Sequence, residues 1–388
     1  MNRALWLTAA FYSALFIGIG AHLPFWPLWL FDWGLSDAEI GQFLGLAIFA
    51  RILGSTLVPS LADRFAIRRL TLALAAGASA LIILLHFMAG TKAALLALTI
   101  GLALTTAALI PTGEALGLRA AQSHRFSYAH ARAIGSAAFL LTVLLLGTGI
   151  DHFGVAPVPI VILLSLFAAG LLGLIHPGGG AAPGELDQAS TADAGKLLCN
   201  PVFWIFAAAF ALGQASHAVL YTYSTIHWRE AGLSGEVIGG LWAIGVAAEI
   251  ALMFGAGRWL VGRLGPTRAL GLAALAGVIR WSVMIADPPL WLLWPVQSLH
   301  AFTFGLSLLA GMAFLAEAIP RRLGATAQGV TTGLIGGSTM ALATLLAGLA
   351  APDWSQPALY WIALIPSATG LSFCFLLSRF WKGGPLQI

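Results

Sequence analysis

The chain has 388 residues, 59% of them hydrophobic and only 9% charged, with a formal net charge of +4. A soluble domain carries about 25% charged residues, so this composition excludes an ordinary water-soluble protein and points to the bilayer. Of the 19 Lys and Arg, 17 are scattered over loops and termini rather than clustered, which argues against a nucleic-acid-binding protein.

Apolar stretches of about 20 residues, the length that crosses a bilayer, can be read twelve times. The predicted spans are 5–31, 37–60, 69–89, 93–118, 128–150, 156–175, 200–228, 236–258, 268–286, 288–317, 325–350 and 356–381. The first contains Pro24 and Pro27 and is too long for a signal peptide, so it reads as a span. Turn residues Gly34, Asp287, Pro288 and Pro289 separate spans that nearly touch.

Span two carries Arg51, and the turn after it holds Asp63, Arg64, Arg68 and Arg69. Glu114 lies about one turn from the predicted end of span four, three residues after Pro111, which frees a backbone carbonyl nearby. Arg132 sits one or two turns into span five. The polar stretch from Gly178 to Lys196 reads as a flexible linker. The organisation is therefore an N-terminal half at 1–176, a cytoplasmic linker at 177–199 and a C-terminal half at 200–388.

Span seven carries Gln214, His217, Tyr221 and Tyr223, readable as a polar substrate wall or as an internally satisfied histidine. Glu249 lies in span eight, Arg280 in span nine and His300 in span ten. Glu317, at the end of span ten, is expected to pair locally with Arg321 or Arg322. Gly329, Gly333, Gly336 and Gly337 in span eleven suit close helix packing. Cys199 and Cys374 both read as buried thiols with no disulfide or metal role. Trp26, Phe139, Trp281 and Phe302 are candidates for aromatic surface toward a ligand.

Charge placement supports twelve spans. With both termini inside, fifteen of the 19 basic residues fall on the cytoplasmic side, only Lys92 and Arg229 fall outside, and Arg51 and Arg280 stay within spans. That is the positive-inside bias. A repeat adds organisation: Gly34-Leu35-Ser36 with Ile40-Gly41 recurs as Gly232-Leu233-Ser234 with Ile238-Gly239, and the same offset carries Arg51 onto Glu249. Charges at bilayer depth are costly and mark solute or ion paths, so Arg51, Glu114, Arg132, Glu249, Arg280 and His300 are functional candidates. Two repeats with intramembrane charges describe a secondary transporter. The chain shows neither a P-loop-type phosphate loop nor a nucleophile–base or metal spacing, so an ATP-driven pump and an enzyme are disfavoured and no cofactor or metal is expected.

Longer motifs resemble the major facilitator superfamily and, within it, the lactose permease and phenylpropionate permease group. Asp63-Arg64 with Arg68-Arg69 looks like the superfamily's loop motif, in degenerate form, with Pro59, Ala66 and Ile67 where Gly, Gly and Arg are usual. Phe25 to Leu30 is similar to the end of the first helix, and Tyr128 to Ser136 to the fifth. The resemblance implies an all-α membrane fold of twelve helices in two pseudo-symmetric six-helix halves. It places Glu114 at the sugar-binding carboxylate, and Glu249, Arg280 and His300 in the proton-coupling network. It leaves Arg51, Glu114, Arg132, Phe139, His217 and Gln297 as the substrate-binding set.

One departure matters. Thr303 stands where the lactose permease has its proton-carrying glutamate, so that residue cannot couple protons here. The segments around Arg51, Glu114, His217 and Gln297–Thr303 lean toward the phenylpropionate branch. The implied activity is import of an aromatic carboxylate such as 3-phenylpropionate by proton symport and alternating access. A lactose-like sugar–proton symporter is the alternative, and a solute efflux antiporter the third reading. The expected setting is a monomer in the cell inner membrane, with a small solute, a proton and the bilayer as its partners.

Overall fold

A computed structural model of the chain describes residues 2–65, 67–179 and 191–387, the side chains of 60, 61, 63, 191 and 192 excepted. Among the described residues there is no strand. Twelve helices among the described residues are long and apolar enough to cross a membrane. They are α1 Arg3–Asp32, α2 Asp37–Pro59, α3 Arg68–His86, α4 Lys92–His124, α5 Tyr128–Phe153 and α6 Pro157–Leu174, then α7 Pro201–Glu230, α8 Gly235–Phe254, α9 Pro266–Ile285, α10 Leu290–Ala318, α11 Arg321–Ala350 and α12 Pro357–Phe380. The predicted count is met. Leu53, Leu57, Leu74, Leu145 and Leu164 are exposed on these helices. Exposed leucines are expected where the surrounding solvent is lipid and the helix satisfies its own backbone.

Local signals set the helix ends. Asn2, Thr91, Ser127 and Asn200 cap α1, α4, α5 and α7 by accepting backbone N–H bonds. Ser36 and Glu39 form a reciprocal capping box at the start of α2, with Ser36 N donating to Glu39 at 2.9 Å and Glu39 N to Ser36 at 3.4 Å. The Gly-Leu-Ser repeat is a repeated turn. Gly34 and Gly232 have φ of +105° and +83°, where only glycine is at ease. Leu35 N donates to Leu30 O, and Leu233 N to Trp228 O, closing both preceding helices in the same way.

Several details depart from the sequence reading. α4 runs to His124, so Glu114 lies well inside it rather than one turn from its end. The regular helix pauses at Ala107–Ala108. Pro111 offers no N–H to the carbonyl of residue 107, and this interruption is its consequence. α8 stops at Phe254, and a separate amphipathic helix, Gly257–Leu264, follows it. The segment read as a flexible linker contains the helix Thr191–Cys199, and Asp193 on that helix meets Arg322 at 3.0 Å. Arg322 is thus taken by Asp193, and Glu317 instead accepts from Gly384 N at 3.1 Å, so among the described residues the expected pair of Glu317 with Arg321 or Arg322 is not found. Cys374 is buried as expected, but Cys199 is exposed, because it ends that short helix just before the Asn200 cap. Residues 180–190 lie outside the described residues.

The contacts divide the chain into two compact units, Met1–Pro183 with Tyr223–Gly240, and Gly184–Thr222 with Leu241–Ile388. In unit 1, Asp151 at the end of α5 accepts from Gly235 N at 2.7 Å, Glu236 N at 3.0 Å and Arg229 at 2.8 Å. It thereby supplies a carboxylate to the start of α8, where the helix dipole favours negative charge. In unit 2, stacked Phe206 and Phe314 centre a core that includes Phe210, Leu270 and Leu306.

Candidate functional site

Unit 1 holds the α4–α5 pair. Arg132 Nε lies 3.6 Å from Glu114 Oε1, with side chains 31% and 42% exposed. The guanidinium sits 4.1 Å from the Phe16 ring centre and 5.6 Å from that of Tyr12. Such stacking favours a cation on an aromatic face. Tyr12 is itself fixed: its hydroxyl donates to Gly113 O at 3.3 Å and lies 3.3 Å from the Tyr128 hydroxyl. A Cβ at Gly113 would collide with Phe11, and one at Gly117 with the Tyr12 hydroxyl. The glycines flanking Glu114 therefore let α1 close on α4 and seat the ring beneath Arg132.

Arg51 on α2 has an exposed side chain. It lies close enough to His22 of α1 to interact with it electrostatically. His22 stacks on Trp26 at 5.5 Å, Trp26 on Trp29 at 4.6 Å, and His86 meets Trp26 edge-on at 5.1 Å. The sequence reading singled out Trp26 but missed His22, Tyr12, His86 and Asp151. A histidine in the middle of an apolar span was the available signal for His22. Phe139 is 5% exposed and packs against Gly20 of α1. Of the loop motif, Arg64 lies over Phe65 at 5.8 Å and Arg68 opens α3, while the Asp63 side chain is outside the described residues.

Unit 2 gathers five of the sequence candidates into one network. Arg280, 1% exposed, donates to Gln297 Oε1 at 2.6 Å and to Thr303 Oγ1 at 3.0 Å, and its NH1 is 3.3 Å from His300 Nδ1. Its guanidinium lies 4.6 Å from the Trp281 ring centre. His300 Nε2 is 3.5 Å from Glu249 Oε2. His217, fully buried, has Nε2 3.0 Å from Thr303 Oγ1 and Nδ1 3.1 Å from Gln214 O. His217 and Gln297, grouped by the sequence with the substrate, thus share partners with Arg280 and His300.

The donor inventory fixes the directions. Arginine only donates, so His300 Nδ1 accepts and its proton sits on Nε2, facing Glu249. Gln214 O only accepts, so His217 carries its proton on Nδ1 and its Nε2 accepts from Thr303. Thr303 accepts from Arg280 and donates its own O–H to His217 Nε2. The helices break where this happens. α7 pauses at Ser216–His217, and α10 passes through a π-helical stretch, Ala301–Leu306, just after His300. Wide turns of this kind gather at functional sites because they re-aim side chains within a helix.

A family model described as the MFS_1 like family matches residues 5–363. The chain belongs to that family. It is 33% identical over 355 residues to a probable 3-phenylpropionic acid transporter of Escherichia coli (strain K12), covering 90% of this chain and 91% of the relative. It is 28% identical over 375 residues to a maltose permease of Geobacillus stearothermophilus, covering 95% and 93%. Among solved structures, the nucleoside transporter NupG aligns with a TM-score of 0.81 at 15% identity, covering 98% of this chain and 99% of the other. A D-xylose-proton symporter aligns with a TM-score of 0.71 at 14% identity, covering 99% and 98%. These two similarities carry the fold alone. The family member is therefore a multi-pass membrane transporter of the major facilitator type, in the phenylpropionate permease group, and not an enzyme.

Proposed function

We propose that this transporter imports a small aromatic carboxylate such as 3-phenylpropionate, by proton symport with alternating access. The observation that carries the reading is Arg132, a guanidinium at membrane depth lying on an aromatic face and held by Glu114 through a single long contact of 3.6 Å. A ligand carboxylate would bind the guanidinium edge in bidentate fashion, and the ligand ring would pack beside Phe16. Arg51 with His22 offers a second cationic position in the same unit. The similarity to a probable 3-phenylpropionic acid transporter points the same way.

The test is uptake of labelled 3-phenylpropionate into proteoliposomes. Arg132→Ala removes the charged contact and is expected to weaken binding by at least about 30-fold. Arg132→Lys should recover little, because an ammonium cannot form the two parallel bonds. Uptake unchanged in both variants rejects Arg132 as the anchor. A sugar is the second reading, favoured by the exposed Glu114 carboxylate beside Arg132 and by the maltose permease similarity. Uptake of labelled maltose or lactose that unlabelled phenylpropionate does not compete, with no uptake of labelled phenylpropionate, selects it.

Coupling is assigned to Glu249. Thr303 cannot release a proton in this range, and Glu249 is the acid beside the His300 Nε2–H. Glu249→Gln is expected to exchange substrate across the membrane yet fail to accumulate it under an imposed pH gradient. Accumulation by that variant removes Glu249 from the role. The protein acts as a monomer in the inner membrane, and both its termini are cytoplasmic, the orientation that the distribution of basic residues supports. A cysteine placed at Asp353 should then label from outside intact cells.

A further inference from the structure

Unit 2 has a cavity of about 620 Å³ at the end of the unit that carries the C-terminus, away from the polar network. Three cations line it: Arg268 from the first turn of α9, and Arg379 and Lys382 from the end of α12 and the tail beyond. Arg268 and Arg379 are exposed and make no ion pair among the described residues. Lys382 donates to Ser378 O at 2.9 Å and keeps two further N–H groups. The one acid in the wall is Glu317, whose Oε1 accepts from Gly384 N.

The tail shapes this cavity. Trp381 stacks edge-on against Phe314 at 4.7 Å, its indole N–H donates to Gly384 O at 2.9 Å, and Leu386 N donates to Ala318 O at 2.8 Å. Arg268 and Arg379 are therefore brought together by tertiary folding from positions far apart in the chain. The helix Gly257–Leu264 runs into the same cavity through Leu264. It is amphipathic, with Trp259 60% exposed and Arg263 over that ring at 5.7 Å. A Trp and arginines on a short amphipathic helix mark the level of lipid headgroups.

We propose that this cavity binds the phosphate of an anionic membrane phospholipid. Two unpaired guanidinium groups and an ammonium converge on a space larger than a phosphate, at a surface rimmed by an interfacial helix. Arginine recognises phosphate through paired N–H bonds, and basic groups at the membrane surface attract anionic lipids. Topology alone would call for basic residues on this side but would not gather them around a cavity. Bound lipid would tie the tail and the α9 start together. It would also set the charge around Glu317.

The full-length protein in detergent tests this, with phosphatidylglycerol, phosphatidylcholine and inorganic phosphate as probes. Lipid binding is read by native mass spectrometry and by the shift in melting temperature. Phosphatidylglycerol should bind and raise the midpoint, while phosphatidylcholine and inorganic phosphate should not. The triple variant Arg268→Gln, Arg379→Gln, Lys382→Gln should bind phosphatidylglycerol on the order of 100-fold more weakly. Its midpoint in phosphatidylcholine should match the wild type, since all three groups are exposed. Arg3→Gln, which removes a charge outside the cavity, should leave binding unchanged. Equal binding of the two lipids, or full phosphatidylglycerol binding by the triple variant, overturns the proposal. Saturation by inorganic phosphate, lost in the triple variant, would overturn the lipid as the source and leave a soluble phosphate ligand.

Discussion

Unit 1 holds Arg132 31% exposed with one carboxylate contact at 3.6 Å, whereas unit 2 holds Arg280 1% exposed within hydrogen bonds of 2.6 to 3.0 Å. The first charge keeps access to a solute and is weakly committed. The second is desolvated, and its stability depends on every partner being in place. On the proposed function the two arginines divide the work: Arg132 would exchange partners with a ligand, while Arg280 would hold a fixed polar core beside the coupling acid.

The contrast can be broken by stability measurements on purified protein. The largest effect is expected for Arg280→Ala, which leaves Gln297, Thr303 and His300 without their donor at a buried position. A loss of about 3–5 kcal/mol is expected, read from denaturant or thermal midpoints. Thr303→Val removes the hydroxyl that bridges Arg280 and His217 and should cost about 1–3 kcal/mol. Arg132→Ala should cost no more than about 1 kcal/mol, because its ion pair is partly exposed, although uptake is expected to fail. Equal losses for Arg280→Ala and Arg132→Ala would show that both sites are structural, and the division of labour would fall.

A further effect concerns pH and lies outside the spans. His176 follows α6, and its Nδ1 accepts from Gly178 N at 3.1 Å. Burial, aided by the nearby Arg69, lowers its pKa to about 4. The folded state therefore binds this proton less readily than the unfolded chain. The stability tied to a neutral His176 is complete above the ordinary imidazole value near 6.5 and is lost as pH falls toward 4. Midpoints should drop on acidification from pH 7 to 5, and His176→Gln should flatten that dependence. An unchanged slope in the variant would assign the acid sensitivity elsewhere.

Much of the candidate site was legible because a charge in an apolar span has few uses. Glu114, Arg132, Glu249, Arg280 and His300 could each be named that way. Their grouping could not. His217 was readable as part of a substrate wall or as a satisfied internal histidine, and Gln297 was grouped with the substrate; their place beside Arg280 depends on how α7 breaks at Ser216–His217 and how α10 widens at Ala301–Leu306. Hydropathy does not encode such irregularities, because a π turn and an α turn bury the same residue types. His22 went unnoticed for a related reason: its bearing on Arg51 comes from the approach of α1 to α2.

What the sequence determined by itself was the class, the twelve spans and the turn written at both Gly34 and Gly232. Each follows from local physics: backbone groups in lipid must be satisfied within a helix of fixed rise, and a left-handed closing residue must be glycine. Tertiary structure alone decided which polar groups meet. It joined Thr303 to His217 and Arg280, gave Arg322 to Asp193 instead of Glu317, and brought Arg268 and Arg379 to one cavity. Those pairings depend on helix rotation and on the course of the tail. Both are set by packing across residues distant in the chain, and no local pattern records them.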